Sequence, residues 1–440
     1  MNKTLLTTLL AASAFTALPA PASELAKAVA KDYDSHLAGL FDHFHRNPEL
    51  SYLEVKTAAR LAKELRAAGF EVTEKVGGTG VVAILKNGPG PLVMMRADMD
   101  GLPMQEKSGL ANASTVTQKD MEGNVVPVAH SCGHDVHITS LVGTARRMAA
   151  EKGKWSGTLM LVGQPAEERI GGALAMMQDG LYKRFGKPDY ALGFHVKADM
   201  ATGKVFASEV SPYSGADTVE ILVKGVGAHG ASPHRGKDPI VLGSMIVVGL
   251  QTIVSRELSP REPGLITVGS FHGGTKANII GDNARLQLTV RSESAATRKL
   301  LLDAIKRMAE NTARAAGMAE NELPEVKLVD HPTPPVLNNV ELVRRLSTAW
   351  KRDIGPDAIG ADEFREGMGS EDFPQFVTDP YIPSVYFTVG GTAPEDIAAA
   401  KAGKLKLPSH HSPLFKVLPG PSVKTGVEAT VVALQDLMRK

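Results

Sequence analysis

Apolar residues between Glu24 and Phe44 recur at helical intervals: Leu25, Val29, Tyr33, Leu37, Leu40, Phe41 and Phe44. This spacing predicts one helix there and a second over residues 54–68, closed by Gly69. The period then changes. Short apolar runs at 81–85, 92–95, 158–162 and 190–196 are separated by helix-like stretches at 137–151 and 172–178. Strands alternating with helices predict an α/β fold whose mixed, largely parallel sheet is flanked by helices on both faces.

A different order begins near Gly215: strand (218–224), helix (239–257), two successive strands (265–271 and 284–291), a long helix (295–316) and a strand (325–329). The βαββαβ order predicts a ferredoxin-like unit, an antiparallel four-stranded sheet with two helices on one face. Its other face would be open, and an unpaired edge strand offers a second subunit a place to dock. A Pro-rich stretch at 331–335 leads to a helix (340–351), a strand (384–389) and a closing helix (424–438). The expected division is therefore an N-terminal segment 1–22, a main domain formed by 23–213 and 331–440, and an inserted unit at 214–330.

The N-terminal segment has Lys3, an apolar run over residues 5–18, and Ala20 and Ala22 in A-x-A spacing. It reads as a signal peptide cleaved after Ala22, because the run is shorter than the roughly 20 residues that a membrane anchor needs. With no later stretch expected to span a membrane, the expectation is an exported protein, periplasmic or secreted, free of the membrane after cleavage. Across the 440 residues, 49 Lys and Arg balance 48 Asp and Glu, so a nucleic-acid partner and a disordered chain are both disfavoured. The single cysteine, Cys132, excludes an intramolecular disulfide.

That cysteine stands in AHSCGHDVH, beside His130, His134, Asp135 and His137. Thiolate and imidazole suit zinc and similar divalent ions, and Cys132 and His134, two apart on a Gly-containing turn, can reach one centre. The plainer alternative is a helix start capped by Asp135. In QPAEE, Glu167 and Glu168 follow an apolar strand, where α/β sheets place ligand sites. On extended chain they would point opposite ways, one toward a metal and the other toward its water as a general base; alone, they would read as an exposed acidic pair. His195 lies in ALGFHV, where a lone histidine is more often a satisfied core residue, and His410 and His411 lie in the Pro-bounded PSHHSP loop. There is no HExxH helix, Walker loop or G-x-S-x-G elbow. A cysteine hydrolase stays conceivable, with its base supplied by a separate segment.

The ordered motifs HRNPELSYLEVKT, RADMDGLPMQE, AHSCGHDVH, QPAEE, GFHV, GAHGASPH, GGTKANII, GSEDF and HHSP run from about residue 40 to 415. Together they resemble the dinuclear metallohydrolases that include aminoacylase, hippurate hydrolase and auxin-conjugate (IAA-amino acid) hydrolases, in the amidohydrolase branch with a cysteine metal ligand. The resemblance implies a zinc-peptidase-like main domain with the insert as lid or dimerisation domain. It also implies two divalent ions per subunit (Zn, Mn, Co or Ni) held by Cys132, His134, Glu168, His195 and His411. His410 matches no ligand position, and Ser131 replaces the usual alanine.

Glu167 would be the general base, Asp98 would orient the site, and His229 and Asn278 would approach the substrate from the insert, with His229 over the metal site helping to hold the oxyanion, either from the same subunit after closure or from a partner subunit. His234 and Arg291 are weaker candidates, Arg291 for binding a substrate carboxylate, and the alternative for both is a hydrogen-bonded structural role. The implied activity is hydrolysis of a small N-acyl amino acid to a carboxylic acid and an amino acid, with a homodimer formed through the insert. An exported metallo-dipeptidase or carboxypeptidase would use the same ligands. A non-catalytic solute-binding protein would need a missing base or ligand, and none is missing.

Overall fold

The computed structural model describes residues 23–329, 332–361 and 367–440, so the expected signal segment lies outside the described residues. Seven strands form the main sheet in the order Glu71–Val76, Gly80–Asn87, Gly157–Gln164, Leu92–Asp98, Tyr190–Ala201, Ser384–Thr392, Val205–Phe206. The four strands from Gly157–Gln164 to Ser384–Thr392 are parallel, and the outer strands pair antiparallel. The sheet is mixed, as its pattern predicted.

Alternation explains why both faces are covered. Val81, Ala83, Leu85, Val93, Met95, Leu159 and Leu161 join one apolar cluster, while their neighbours Val82, Met94, Met160 and Val162 join another. Successive side chains on a strand point to opposite faces, so each strand feeds two cores. The larger cluster takes in the long helices His134–Ala150, Val340–Asp353 and Pro419–Leu437, and the smaller one the short helices Gly172–Gln178, Leu181–Phe185 and Pro374–Val377.

The insert builds its own core, from Val219, Ile221, Leu242, Ile246, Leu286, Leu301 and Ile305 among others. Its sheet runs Gly264–Gly273, Asn283–Ser292, Gly215–Lys224, Glu325–Leu328, all antiparallel, with helices Pro239–Thr252 and Ala295–Ala315 packed against it. Gly264–Gly273 is an edge strand, paired on one side. Entry and exit are joined by bridges Tyr213↔Val336 and Ala216↔Thr333.

Two expectations need correction. The single helix over 239–257 is an α-helix to Thr252 followed by a π-helical turn, Ile253–Glu257. Contrary to the expectation for later stretches, Pro239–Glu257 is long and apolar enough to cross a membrane by length and composition, with mean hydropathy 1.5. It packs as a domain helix: Leu242, Ile246, Leu250 and Ile253 face the insert's core, while Val241, Met245 and Val248 stay exposed. The apolar pattern also leaves out the edge strand Glu71–Val76, whose EVTEKV sequence is too polar to form an apolar run.

Candidate metal centre

Three of the parallel strands position the chemistry. Leu92–Asp98 ends on Asp98, Gly157–Gln164 runs into the Glu167 turn, and Tyr190–Ala201 carries His195. Cys132 and His134 flank Gly133, which has φ 92°; a Cβ there would meet Val196 Cγ1 at 2.4 Å. Only glycine enters that left-handed turn freely, and the helix then begins at His134, earlier than the predicted 137 and with Gly133, not Asp135, at its cap position. The C-terminal loop returns to this turn, where the His411 N–H donates to Ser131 O at 2.9 Å.

The geometry around Glu167 and Glu168 corrects the extended-chain expectation. They lie on a 3-10 turn, Glu167–Arg169, bounded by Ala166 (φ 49°) and Ile170 (φ 52°), two side-chain-bearing residues in the left-handed region. Each such residue costs on the order of 1–3 kcal/mol and persists only where its surroundings enforce it. Here the surroundings do. Asp100 accepts from Glu167 N and Glu168 N at 3.2 and 3.1 Å, Glu54 accepts from Ala166 N at 2.8 Å, and Asp372 accepts from Ala173 N at 3.0 Å. Consequently both carboxylates face the same imidazole. His134 Nε2 lies 4.0 Å from Glu167 and 3.8 Å from Glu168.

Cys132 belongs to two groups of donors, one with Glu168 and His411 and one with His195 and His410, each with its ligand atoms within 4.8 Å of one another. His195 Nε2 is 3.3 Å from Cys132 Sγ, and His411 Nε2 is 3.3 Å from Glu168. Hydrogen bonds to the other ring nitrogen set the available donors. His134 Nδ1 donates to Asp100 O at 2.8 Å and His195 Nδ1 donates to Val196 O at 2.7 Å, leaving each Nε2 for a cation. His137 is excluded by the same reasoning: its Nε2 accepts from Val196 N and its Nδ1 donates to Asp98, so neither nitrogen is free.

The site fits divalent cations. Among the described residues, His134 Nε2 and Glu168 Oε1 are buried without a hydrogen-bond partner. Burial, with Glu168 and Glu167 beside it, pushes the Cys132 thiol well up, so a thiolate there calls for a compensating cation. Burial opposes the charge on His134, but Asp98 and Asp100 outweigh it and hold its pKa at about 10; a bound cation would displace that proton. Burial also drives the Glu167 carboxyl up, and Glu371 and Glu168 push the same way.

Asp98 is held between His137 and the buried Arg96, whose guanidinium reaches Asp98 at 2.6 Å, Glu371 at 2.6 Å, Asp372 at 3.3 Å and Gln164 at 2.7 Å. This cluster joins RADMD, QPAEE and GSEDF behind the metal cluster. A further ion pair sits behind the helix start, where His45 Nδ1 lies 2.7 Å from Asp135.

The insert's predicted residues stand apart from this cluster. His229 and Asn278 adjoin one another on the short Ala228–His229 and Ile279–Ile280 pairing, and both are exposed. No hydrogen bond, ion pair or ring contact among the described residues links either to the metal donors, so in this conformation of one chain His229 stands apart from the site. His234 is exposed on a 3-10 turn. Arg291 does reach the main domain, donating to Ser370 Oγ at 2.6 Å beside Glu371, and no carboxylate among the described residues forms an ion pair with it.

Residues 94–416 match the family model of peptidase family M20/M25/M40. The chain belongs to that family. It is 38% identical over 331 residues to the hippurate hydrolase of Campylobacter jejuni, covering 75% of this chain and 82% of that protein. It is 32% identical over 378 residues to IAA-amino acid hydrolase ILR1-like 2 of Arabidopsis thaliana, covering 85% and 79%. In structure it is similar to a dinuclear metal-binding M20 peptidase from Bacillus subtilis, with 26% identity, a TM-score of 0.73, and 92% and 98% of the two chains covered. The protein is thus a hydrolase of amide bonds, with the mixed α/β architecture of M20 peptidases.

Within this M20-family site, the motifs single out Cys132, His134 and Glu168, while His195 and His411 come only from the family resemblance; all five fall in the clustered donor groups. The sequence does not single out Arg96, Glu371, Asp100 or Glu54. Arg96 alone carried a signal, as a charge inside the apolar strand LVMMRAD.

Proposed function

We propose that the protein is a metal-dependent amidohydrolase that cleaves N-acyl amino acids, hippurate-like or related conjugates, into a carboxylic acid and an amino acid. The observation that carries this reading is the sharing of Cys132 between two donor groups, with Glu167 4.0 Å from the ligand nitrogen of His134. Cys132, His134, Glu168, His195 and His411 would hold two divalent ions; Zn, Mn, Co and Ni all accept such mixed ligands. When bound, the ions supply Lewis acidity and an acidified water.

The chain's own groups handle the proton. Glu167 is buried beside the donors, and a carboxylate there can take a proton from water and return it to the leaving amine. Arg291, which has no carboxylate partner among the described residues, would receive the substrate carboxylate. His229 would stabilise the oxyanion once the insert closes or a second subunit presents it.

A homodimer through the insert is supported by the exposed stripe of Val241, Met245 and Val248, spaced for one helix face, beside the free edge strand Gly264–Gly273. Export to the periplasm or medium is supported by the N-terminal apolar run over residues 5–18, followed by Ala20 and Ala22 in cleavage-site spacing.

The test is a panel of N-acetyl, N-benzoyl and dipeptide forms of one amino acid, assayed with and without chelator and added metals. Chelator-sensitive turnover of N-acyl forms is expected. Turnover of dipeptides alone would reassign the protein to the peptidases, and metal-free protein that binds conjugates without cleaving them would make it a binding protein.

A further inference from the structure

His410 has no part in the reading above, yet the fold carries it into the metal cluster. Its Nε2 accepts from Ala198 N at 3.3 Å, which leaves the ring proton on Nδ1. That Nδ1 faces Cys132, 4.0 Å from Sγ, and the same ring also interacts with the Cys132 backbone. Phe415, with ring centroids 4.8 Å apart, and the edge of His195, at 5.0 Å, hold the imidazole in place. The backbone contributes too, since the next residue's N–H bonds Ser131 O and pins the loop against the cysteine turn. With Nε2 occupied as acceptor from Ala198 N, the ring presents Nδ1–H to Cys132 as a donor, not as a metal ligand.

We propose that His410 is a positioning residue for the Cys132 thiolate: its Nδ1–H grips Cys132 and sets the sulfur between the two donor groups. The proposal rests on the dinuclear metal reading and adds to it a residue outside the ligand set. Outer partners of this kind fix a ligand's orientation and tune its donation.

The side chains available make the test selective. An asparagine amide nitrogen stands where Nδ1 stands, a glutamine amide nitrogen where Nε2 stands, and leucine offers neither. Wild-type, His410→Asn, His410→Gln and His410→Leu proteins are loaded with cobalt(II), and the thiolate-to-cobalt charge-transfer band is recorded together with cobalt affinity by chelator competition. His410→Leu and His410→Gln are expected to shift the band and weaken cobalt binding by about 10-fold, with His410→Asn close to wild type. An unshifted band and unchanged affinity in His410→Leu and His410→Gln would overturn the proposal, as would equal shifts in all three variants, which would make ring bulk the cause. If His410→Leu does not fold, the Asn and Gln pair decides alone. A wild-type protein that takes up cobalt without any thiolate band would instead remove Cys132 from the metal centre, a different failure.

Discussion

Gly133→Ala tests how tightly the cysteine turn is tied to metal binding. The glycine sits at φ 92° between Cys132 and His134, and an added Cβ would stand 2.4 Å from Val196 Cγ1, on a fully buried side chain. The left-handed conformation costs an alanine about 1–2 kcal/mol. Forcing a methyl group into packed surroundings costs a further 1–3 kcal/mol or so. In the metal-free protein the turn can relax and shed part of this strain; with metal bound, Cys132 and His134 must both return to their places. If about 2 kcal/mol appears only in the loaded state, metal affinity falls roughly 30-fold. Chelator competition on Gly133→Ala measures the loss directly. Adding Val196→Ala relieves the contact but not the backbone conformation, so the double variant should recover part of the affinity and not all of it. Wild-type affinity in Gly133→Ala would refute the argument, and full recovery in the double variant would assign the whole cost to Val196.

Arg96→Met should destabilise the metal-free protein by about 3–5 kcal/mol, because Asp98, Glu371 and Asp372 lose their buried cationic partner; a denaturation midpoint close to wild type would show that the cluster needs no cation. His45 gives a pH signature in the metal-free protein. Burial opposes its charge, but Asp135 and Glu106 hold its folded pKa at about 10, above the ordinary 6.5. Its contribution to stability is therefore complete below about pH 6.5 and declines as pH rises toward about 10. His45→Asn should flatten that decline in a series of melts, and an unchanged slope would remove His45 as its source. Cys132→Ser should lower retained metal by at least about 10-fold on elemental analysis after dialysis against chelator; equal retention would return Cys132 to an ordinary buried thiol.

The elements legible in the sequence are those in which side-chain period and burial agree. The alternating strand Gly215–Lys224 and the parallel strands of the main sheet announce themselves through apolar residues that must be buried. The edge strand Glu71–Val76 does not, because half-exposed positions tolerate Glu, Thr and Lys. In the site, Cys132, His134 and Glu168 are legible because thiol, imidazole and carboxylate groups stand in short motifs, whereas His195 in an apolar strand and His411 in a Pro-bounded loop become candidates only through the family resemblance. Their supports are not legible, since Arg96 meets Glu371 across 275 residues of chain. The strained turn is equally hidden: nothing about Ala166 or Ile170 predicts a positive φ, which arises from tertiary bonds to Glu54, Asp100 and Asp372. His229 illustrates the opposite case, a residue whose motif implies a place over the metals while this chain's fold leaves it exposed.

The most direct measurement is the hydrolysis rate of an N-acyl amino acid by Glu167→Gln protein whose metal content equals that of wild type. Replacing the carboxylate by an amide keeps the shape and removes the proton acceptor, so the rate should fall by about 100-fold or more while both metals stay bound. A rate near that of wild type at equal metal content would contradict the account.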